Sequence, residues 1–356
     1  TGVAEILKGV VNPSGKIVDT YATSSLSAPA VVNSGTQTPQ FSNVDEINST
    51  IGADERAEYI SFQAENIYIG YRYYETRYAD CVMDKGGASS PVGALAGASA
   101  WNYADEVQYP FGYGLSYTTF QQKLDSVKVE DDQITATVTV TNTGSVAGKQ
   151  VAQIYVGAPY TKGGIEKSSV VLAGFQKTKL LEPGESQALT ISFAKEDMAS
   201  YDYTGVKAEG GSYVLEAGDY AINLQTDSHN VVDSRTVHVD ADVIYNDAND
   251  GKRASDDETA VNRFDDVSYG DDVTYLSRAD WAGTMPTERP AAVKDATDEQ
   301  IQALTSPAPL ENADVEDIVT GKKNGLTLED VRGLDYDDPK WNDLLDQVTL
   351  DEMERL

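Results

Sequence analysis

Between Phe120 and Val239 apolar and polar side chains alternate with a period of two, broken at short intervals by turn residues. Ile134-Thr-Ala-Thr-Val-Thr-Val-Thr141 is the clearest case, the pattern of a strand with one face buried and one wet. Leu124 to Val129, Val151 to Val156, Val170 to Phe175, Ala188 to Phe193, Tyr220 to Leu224 and Thr236 to Val239 read the same way. Asn142-Thr-Gly144, Pro183-Gly184 and Ala217-Gly-Asp219 supply the turns. About seven short antiparallel strands predict an immunoglobulin-like sandwich.

The flanks follow other patterns. Val3, Ile6 and Leu7 have helical spacing, with a stop at Gly9 and a turn at Asn12-Pro-Ser-Gly15; Ile17 to Tyr21 reads as extended. Thr20 to Ala64 is polar and gives little structural signal. Glu65 to Glu75 is rich in Ile and Tyr and predicts a strand, with Ile67, Ile69, Tyr71 and Tyr73 on one face and Tyr68, Gly70, Arg72 and Tyr74 on the other. Its tyrosine row with Arg72 admits a sugar-stacking role, although a packed strand is the commoner origin of such a row. Gly86 to Ala100 is built of Gly, Ala and Ser and reads as a mobile loop. Asp240 to Asp272 is an acidic, self-repelling linker, followed by an extended strap through Pro286 and Pro290. Near the end, Trp341, Leu344, Leu345 and Val348 share a helical face, and Thr349-Leu-Asp-Glu352 is a capping box opening another helix.

Charge narrows the partners. The 356 residues hold 58 acidic and 27 basic side chains, a formal charge of −31. Such a field repels nucleic acid and anionic membrane surfaces but tolerates a neutral substrate such as a sugar. Cys81 is the sole cysteine, so no intrachain disulfide is expected. No apolar run reaches the roughly 18 residues that span a bilayer, and no signal-peptide pattern opens the chain. A cytoplasmic location is therefore favoured. The chain starts and stops inside predicted helices, so it reads as a fragment.

Several strings carry a resemblance. Tyr109-Pro-Phe-Gly-Tyr-Gly-Leu-Ser-Tyr-Thr-Thr-Phe120 resembles the junction between the α/β sandwich domain and the fibronectin type III-like domain of family-3 glycoside hydrolases. Gly9 to Ile17 resembles the segment closing that α/β domain, with Val18 in place of the usual Pro. Glu65 to Glu75 is similar to a further family segment, with Asn66 in place of Gly. VTVTNTGSVAGKQVAQIYV, GFQKTKLLEPGES and EAGDY match the fibronectin-like domain, and Leu326 to Met353 resembles the start of the catalytic barrel. A barrel that follows the sandwich matches the inverted members of the family. The resemblance implies a mainly β chain with four parts. Residues 1–118 would end an α/β sandwich domain interrupted by an insertion, and 119–240 would be the fibronectin-like domain. Residues 241–306 would be linker and strap, and 307–356 the start of a (β/α) barrel.

The implied reaction is hydrolysis of a terminal, non-reducing β-glucoside or related glycoside through a covalent glycosyl-enzyme. Retaining hydrolysis needs two carboxyl groups about 5–5.5 Å apart. By the family pattern the nucleophilic aspartate lies in a Ser-Asp-Trp motif beyond this sequence, and the acid/base glutamate lies before it. No catalytic residue is therefore assigned within the chain, and the segment is expected to be scaffold. Ser277-Arg-Ala-Asp-Trp281 imitates the nucleophile motif with an extra residue, so Asp280 is the decoy to test. Asn246 to Asp257 partly imitates a calcium loop through Asp250 and Gly251, but Ala248 stands where a ligand is required and Asp257 replaces the bidentate Glu. His229, His238 and Cys81 have no metal-ligand spacing. Metal and cofactor sites are expected to be absent. A different class of function stays open: residues 118–240 as a non-catalytic carbohydrate-binding or adhesion module, since sandwiches host such roles.

Overall fold

The computed structural model describes residues 2–24, 28–29, 42–51, 65–83, 101–246, 275–281, 295–298, 301–302 and 320–355. They fall into two compact units, Thr1–Leu304 and Thr305–Leu356.

The larger unit opens with helix α1 (Gly2–Leu7), strand β1 (Tyr21–Ala22) and helix α2 (Val44–Ile51). Helix α3 (Tyr71–Cys81), the short helix α4 (Tyr103–Glu106) and strand β2 (Val107–Tyr109) follow. Strand β1 pairs with β2. Helix α3 corrects an expectation: the composition of the tyrosine-rich segment predicts a strand, and from Tyr71 it forms a helix. Asn66 and Gly70 both take positive φ, 56° and 55°. These two bends end any extended run, and the chain leaves Gly70 directly into a helical turn. Tyr73, Tyr74, Arg77, Ala79 and Asp80 are all buried. A helix covered on most sides is paid for by packing, which overrides the β preference of its tyrosines. Helix α2, α4 and β2 lie in stretches whose composition gave no signal. The Gly/Ala/Ser-rich loop from Gly86 to Ala100 lies outside the described residues.

The seven expected strands all form. They are β3 (Phe120–Glu130), β4 (Gln133–Asn142), β5 (Val151–Gly157), β6 (Val171–Lys177) and β7 (Ser186–Ala194). Beyond two short strands, β8 (Ser200–Asp202) and β9 (Ser212–Leu215), come β10 (Gly218–Gln225) and β11 (Val231–Val239). One sheet has the order β3-β4-β7 and the other β11-β10-β5-β6, all antiparallel. Their inner faces meet in one core, with Leu124, Ile134, Ala136, Val138 and Val140 opposite Ala152, Ile154, Val156, Ile222 and Leu224. Along β4 the apolar residues are buried and the threonines only half-buried, as the alternation dictates. A third sheet, formed by β12 (Val243–Tyr245), β9 and β8, lies outside the seven expected strands. Its outer strand β12 pairs with β9 and occupies the start of the stretch read as linker. Three residues with two β-branched side chains suffice once a partner edge is present; residues 247–272 of that linker lie outside the described residues.

Strand β5 departs from alternation, since Val151 to Val156 are buried on both faces. Ala152, Ile154 and Val156 enter the sandwich core. Gln153 and Tyr155 point the other way, into the N-terminal segment. A strand covered on both sides reads as a nearly continuous apolar run.

In the smaller unit the expected capping box is present. Thr349 Oγ1 accepts from the Glu352 N–H, and the Glu352 carboxylate accepts from the Thr349 N–H, opening helix α6 (Leu350–Met353). Helix α5 (Lys340–Leu345) precedes it. Of the predicted apolar face, Trp341, Leu344 and Val348 are half-buried while Leu345 is exposed. The Gln347 amide pairs with both backbone groups of Leu326.

Candidate functional site

Three sequence strings interlock beside the sandwich, two of them on the outer face of β5. Asn12 is the first link: its amide donates to the Ala147 carbonyl and its oxygen accepts from Ser116 Oγ and the Tyr117 N–H. The Tyr117 hydroxyl reaches back to the Ile6 carbonyl. At the turn, Gly112 has φ +82°, and a Cβ there would lie 2.3 Å from Gln153 Oε1. This bare backbone lets Gln153 Nε2 donate to the Gly112 carbonyl and to that of Thr226. The Phe111 ring stacks on Tyr71 at 4.6 Å, and Tyr71 meets Tyr155 edge-on. The Tyr71 hydroxyl accepts from the Leu172 N–H on β6. The tyrosine-rich helix, the glycine turn and the Asn-Pro turn are thus welded to the sandwich by rings and backbone hydrogen bonds.

Helix α3 carries two buried carboxylates to two different seams. Glu75 accepts from the Tyr103 hydroxyl at 2.6 Å and Ser228 Oγ at 3.0 Å, and pairs with His229 Nδ1 at 2.9 Å. Burial and the Glu75 carboxylate both hold the Tyr103 phenol far above its ordinary range. The His229 ring stacks on Tyr103 at 3.8 Å and packs against Tyr78. Asp227 shapes the β10–β11 turn by accepting from the backbone of His229 and Asn230.

One turn further on, Asp80 takes three hydrogen bonds from Arg278, at 2.8, 3.0 and 3.0 Å, and a fourth from the Trp281 indole at 3.1 Å. Neither charged group sees solvent: Asp80 is 1% exposed and Arg278 3%. The guanidinium lies over Tyr160 at 4.1 Å and donates to the Lys167 carbonyl. Glu166, buried beside it, accepts from the Tyr68 hydroxyl, Ser277 Oγ and the Arg278 N–H. Burial, first, and the Glu166 charge push the Tyr160 phenol up to about 12. Ser277 to Trp281 is therefore bolted to both α3 and the β5–β6 connection. Between the two seams lies a cleft of about 720 Å³, lined by Glu75, Tyr78, Tyr160, Gln225, His229 and Arg278 among others.

The residues singled out from sequence fall as follows. Asp280 is exposed on the bolted strap, and its neighbours Arg278 and Trp281 make the anchoring contacts. Arg72 is exposed, while Tyr73 and Tyr74 are buried against Trp281 and one another, so the tyrosine row is core and presents no sugar platform. His229 pairs with Glu75, and His238 with Asp219 at 2.6 Å on the outer strand. Cys81 is half-buried and packs against the aromatic cluster. Only Asn246 of the calcium-like loop is described. Among the described residues no group of three His, Cys, Asp or Glu side chains could hold a metal ion. The same residues include no helix long and apolar enough to cross a membrane. Sequence reasoning missed Glu75, Asp80, Glu166 and Arg278 as a set. Glu75 and Asp80 stand within an aromatic run, which was the available signal, but the partners of the set lie about 100 to 200 positions apart.

Residues 150–228 match the fibronectin type III-like domain family. The chain is 39% identical over 238 residues to β-glucosidase A of Butyrivibrio fibrisolvens, covering 63% of this chain and 23% of that protein. To the β-glucosidase of Ruminococcus albus it is 37% identical over 227 residues, 64% of this chain and 19% of the relative. A solved β-glucosidase from Paenibacillus barengoltzii superposes with a TM-score of 0.51 at 35% identity, over 68% of this chain and 22% of that one. β-Glucosidase 3B of Thermotoga neapolitana, solved in complex with glucose, gives 0.50 at 30% identity, over 68% and 27%. The chain spans about a fifth to a quarter of the length of these relatives.

Proposed function

We propose that this chain, which belongs with the β-glucosidases of glycoside hydrolase family 3 across its matched two thirds, is the scaffold segment of such an enzyme. The whole protein would cleave terminal, non-reducing β-D-glucosides, or closely related glycosides, with retention through a covalent glycosyl-enzyme. In this reading residues 1–118 close an α/β domain, 119–240 are the fibronectin-like domain, 241–306 are linker and strap, and 307–356 open the barrel. Nucleophile and acid/base would come from outside these residues.

One observation carries the reading: the family-like strings around Tyr71 and Gly112 meet on the outer face of β5, and the string around Asn12 ties the end of the glycine turn to Ala147. Motifs far apart in sequence have no reason to interlock unless the join between domains is what they serve. The bolted strap supports the same view. Arg278 and Trp281 fix the departure point of the chain that follows, and a retaining enzyme depends on placing two carboxyl groups within about half an ångström. Asp280 sits on this strap without the rigid strand end that a nucleophile requires.

The test has two arms. The purified 356-residue chain is assayed with aryl β-glucosides, and no turnover is expected. Turnover that Asp280→Asn abolishes would overturn the assignment of this segment as scaffold. The coding sequence on either side is then read for an upstream α/β domain with a candidate glutamate and a downstream barrel strand ending in Ser-Asp-Trp. A reading frame that closes at Leu356 would overturn the enzymatic reading itself.

A further inference from the structure

In the smaller unit the run from Gly321 to Leu326 is zipped along the C-terminal end of helix α5. The Gly321 N–H donates to the Val348 carbonyl at 3.2 Å and the Lys322 N–H to that of Asp346 at 2.8 Å. Lys322 Nζ pairs with the Asp346 carboxylate at 2.7 Å. The Leu326 backbone closes the far end through both groups of the Gln347 amide. Between these ties, Asn324 Nδ2 donates to the Asp343 carbonyl at 2.6 Å. The last carbonyls of a helix have no partner within it, and here a side-chain amide supplies one.

That amide stands where its own chemistry makes it short-lived. Asn324-Gly325 is the sole Asn-Gly pair among the 356 residues. An asparagine amide is attacked by the backbone nitrogen of the next residue, whose side chain ordinarily crowds the approach; glycine removes that obstacle. Three features of the structure leave the attack open. Asn324 and Gly325 are both exposed. A Cβ at Gly325 would meet no atom within 4 Å, so the surroundings leave room for a ring to form. Among the described residues the Gly325 N–H donates to no acceptor, so water can take its proton.

We infer that Asn324-Gly325 is a self-modification site whose conversion detaches residues 320–326 from helix α5. The Gly325 nitrogen gives its proton to water or hydroxide and bonds to Asn324 Cγ. The Cγ–Nδ2 bond breaks, and Nδ2 takes up a proton and leaves as ammonia. Water then opens the cyclic imide at one carbonyl or the other, giving aspartate or isoaspartate; nothing is oxidised or reduced. Either product has lost the Nδ2 donor, so the Asp343 carbonyl is left without it. The new carboxylate also adds negative charge at the negative end of α5, where Asp346 already draws on Lys322 for balance. Isoaspartate further inserts a methylene into the main chain and shifts the register on which the Lys322 and Leu326 bonds depend.

The inference does not rest on the hydrolase reading, and its test needs no turnover. The 356-residue chain is aged in mildly alkaline buffer, and trypsin, cutting after Lys323 and Arg332, releases the peptide from Asn324 to Arg332 for mass spectrometry. Asn324 should lose its amide before any other asparagine of the chain. An isoaspartyl methyltransferase should label that peptide, since only the imide route gives isoaspartate. Asn324→Gln keeps a donor amide but lengthens the side chain past the favourable ring size, and should abolish both signals. Hydrogen exchange reads the release: protection of the Lys322 and Leu326 amides should fall about fivefold on ageing, the equivalent of one lost hydrogen bond, and should not change on ageing Asn324→Gln. An Asn324 amide that outlasts other asparagines, or converts without isoaspartate, would overturn the modification site. Protection that stays constant after conversion would overturn the release.

Discussion

Replacing Arg278 by Leu tests whether the strap is held by a buried ion pair. The substitution removes all three guanidinium bonds to Asp80 and leaves that carboxylate, 1% exposed, with the Trp281 indole as its remaining partner. Deleting one member of a buried pair costs about 3–5 kcal/mol, because the survivor stays dehydrated and uncompensated. The Lys167 carbonyl also loses its donor, which keeps the expectation toward the upper half of that range. A unit of this size loses about 2–4 °C in Tm per kcal/mol, giving a drop of roughly 8–20 °C. Urea unfolding is followed by far-UV circular dichroism and by tryptophan emission. Trp281 is 1% exposed, so release of the strap should red-shift emission, ahead of the sheet signal if the strap lets go first. Replacing the pair together, Asp80→Leu with Arg278→Met, should cost far less than either single change, since hydrophobic substitutes for buried pairs are often neutral. A loss below about 1 kcal/mol for Arg278→Leu alone would mean that water reaches the pair, and would refute the reasoning.

Gly112→Ala should destabilise the larger unit by about 2–4 kcal/mol, combining left-handed strain with loss of the Gln153 contact; an unchanged urea midpoint would show that Gln153 is not packed on the turn. His238 should titrate above its ordinary value of 6.5, chiefly through its hydrogen bond to Asp219 and then that carboxylate's charge. Because the folded value is the raised one, the stabilisation is complete below the unfolded value and disappears as pH rises through the folded value. NMR titration of His238 checks this, and Asp219→Asn should return it toward 6.5.

The sandwich was legible because its instructions are local. Alternation along Ile134 to Thr141 sets one face inward whatever lies opposite, and the turns at Asn142-Thr-Gly144 and Pro183-Gly184 close the hairpins. The Thr349 capping box was legible for the same reason, since both of its hydrogen bonds span three residues. Tyr71 to Cys81 was not. Its tyrosines favour a strand in isolation, and the helix exists because Gly70 turns the chain and the sandwich, Trp281 and Tyr103 cover most of its surface. Strand β12 was hidden likewise, its acidic surroundings outweighing a three-residue signal that only the edge of β9 makes useful.

By itself the sequence determined the strands, the caps, the acidic surface and the family-like strings. Tertiary structure alone decided what those strings do: Gly112 is a bare seat for Gln153, Asn12 a three-way tie, and Asp80 the buried partner of a residue 198 positions away. The physical reason is range. Periodicity and capping act over a few residues, whereas dehydrated charges and unpaired acceptors acquire meaning only when folding removes the water that would otherwise satisfy them.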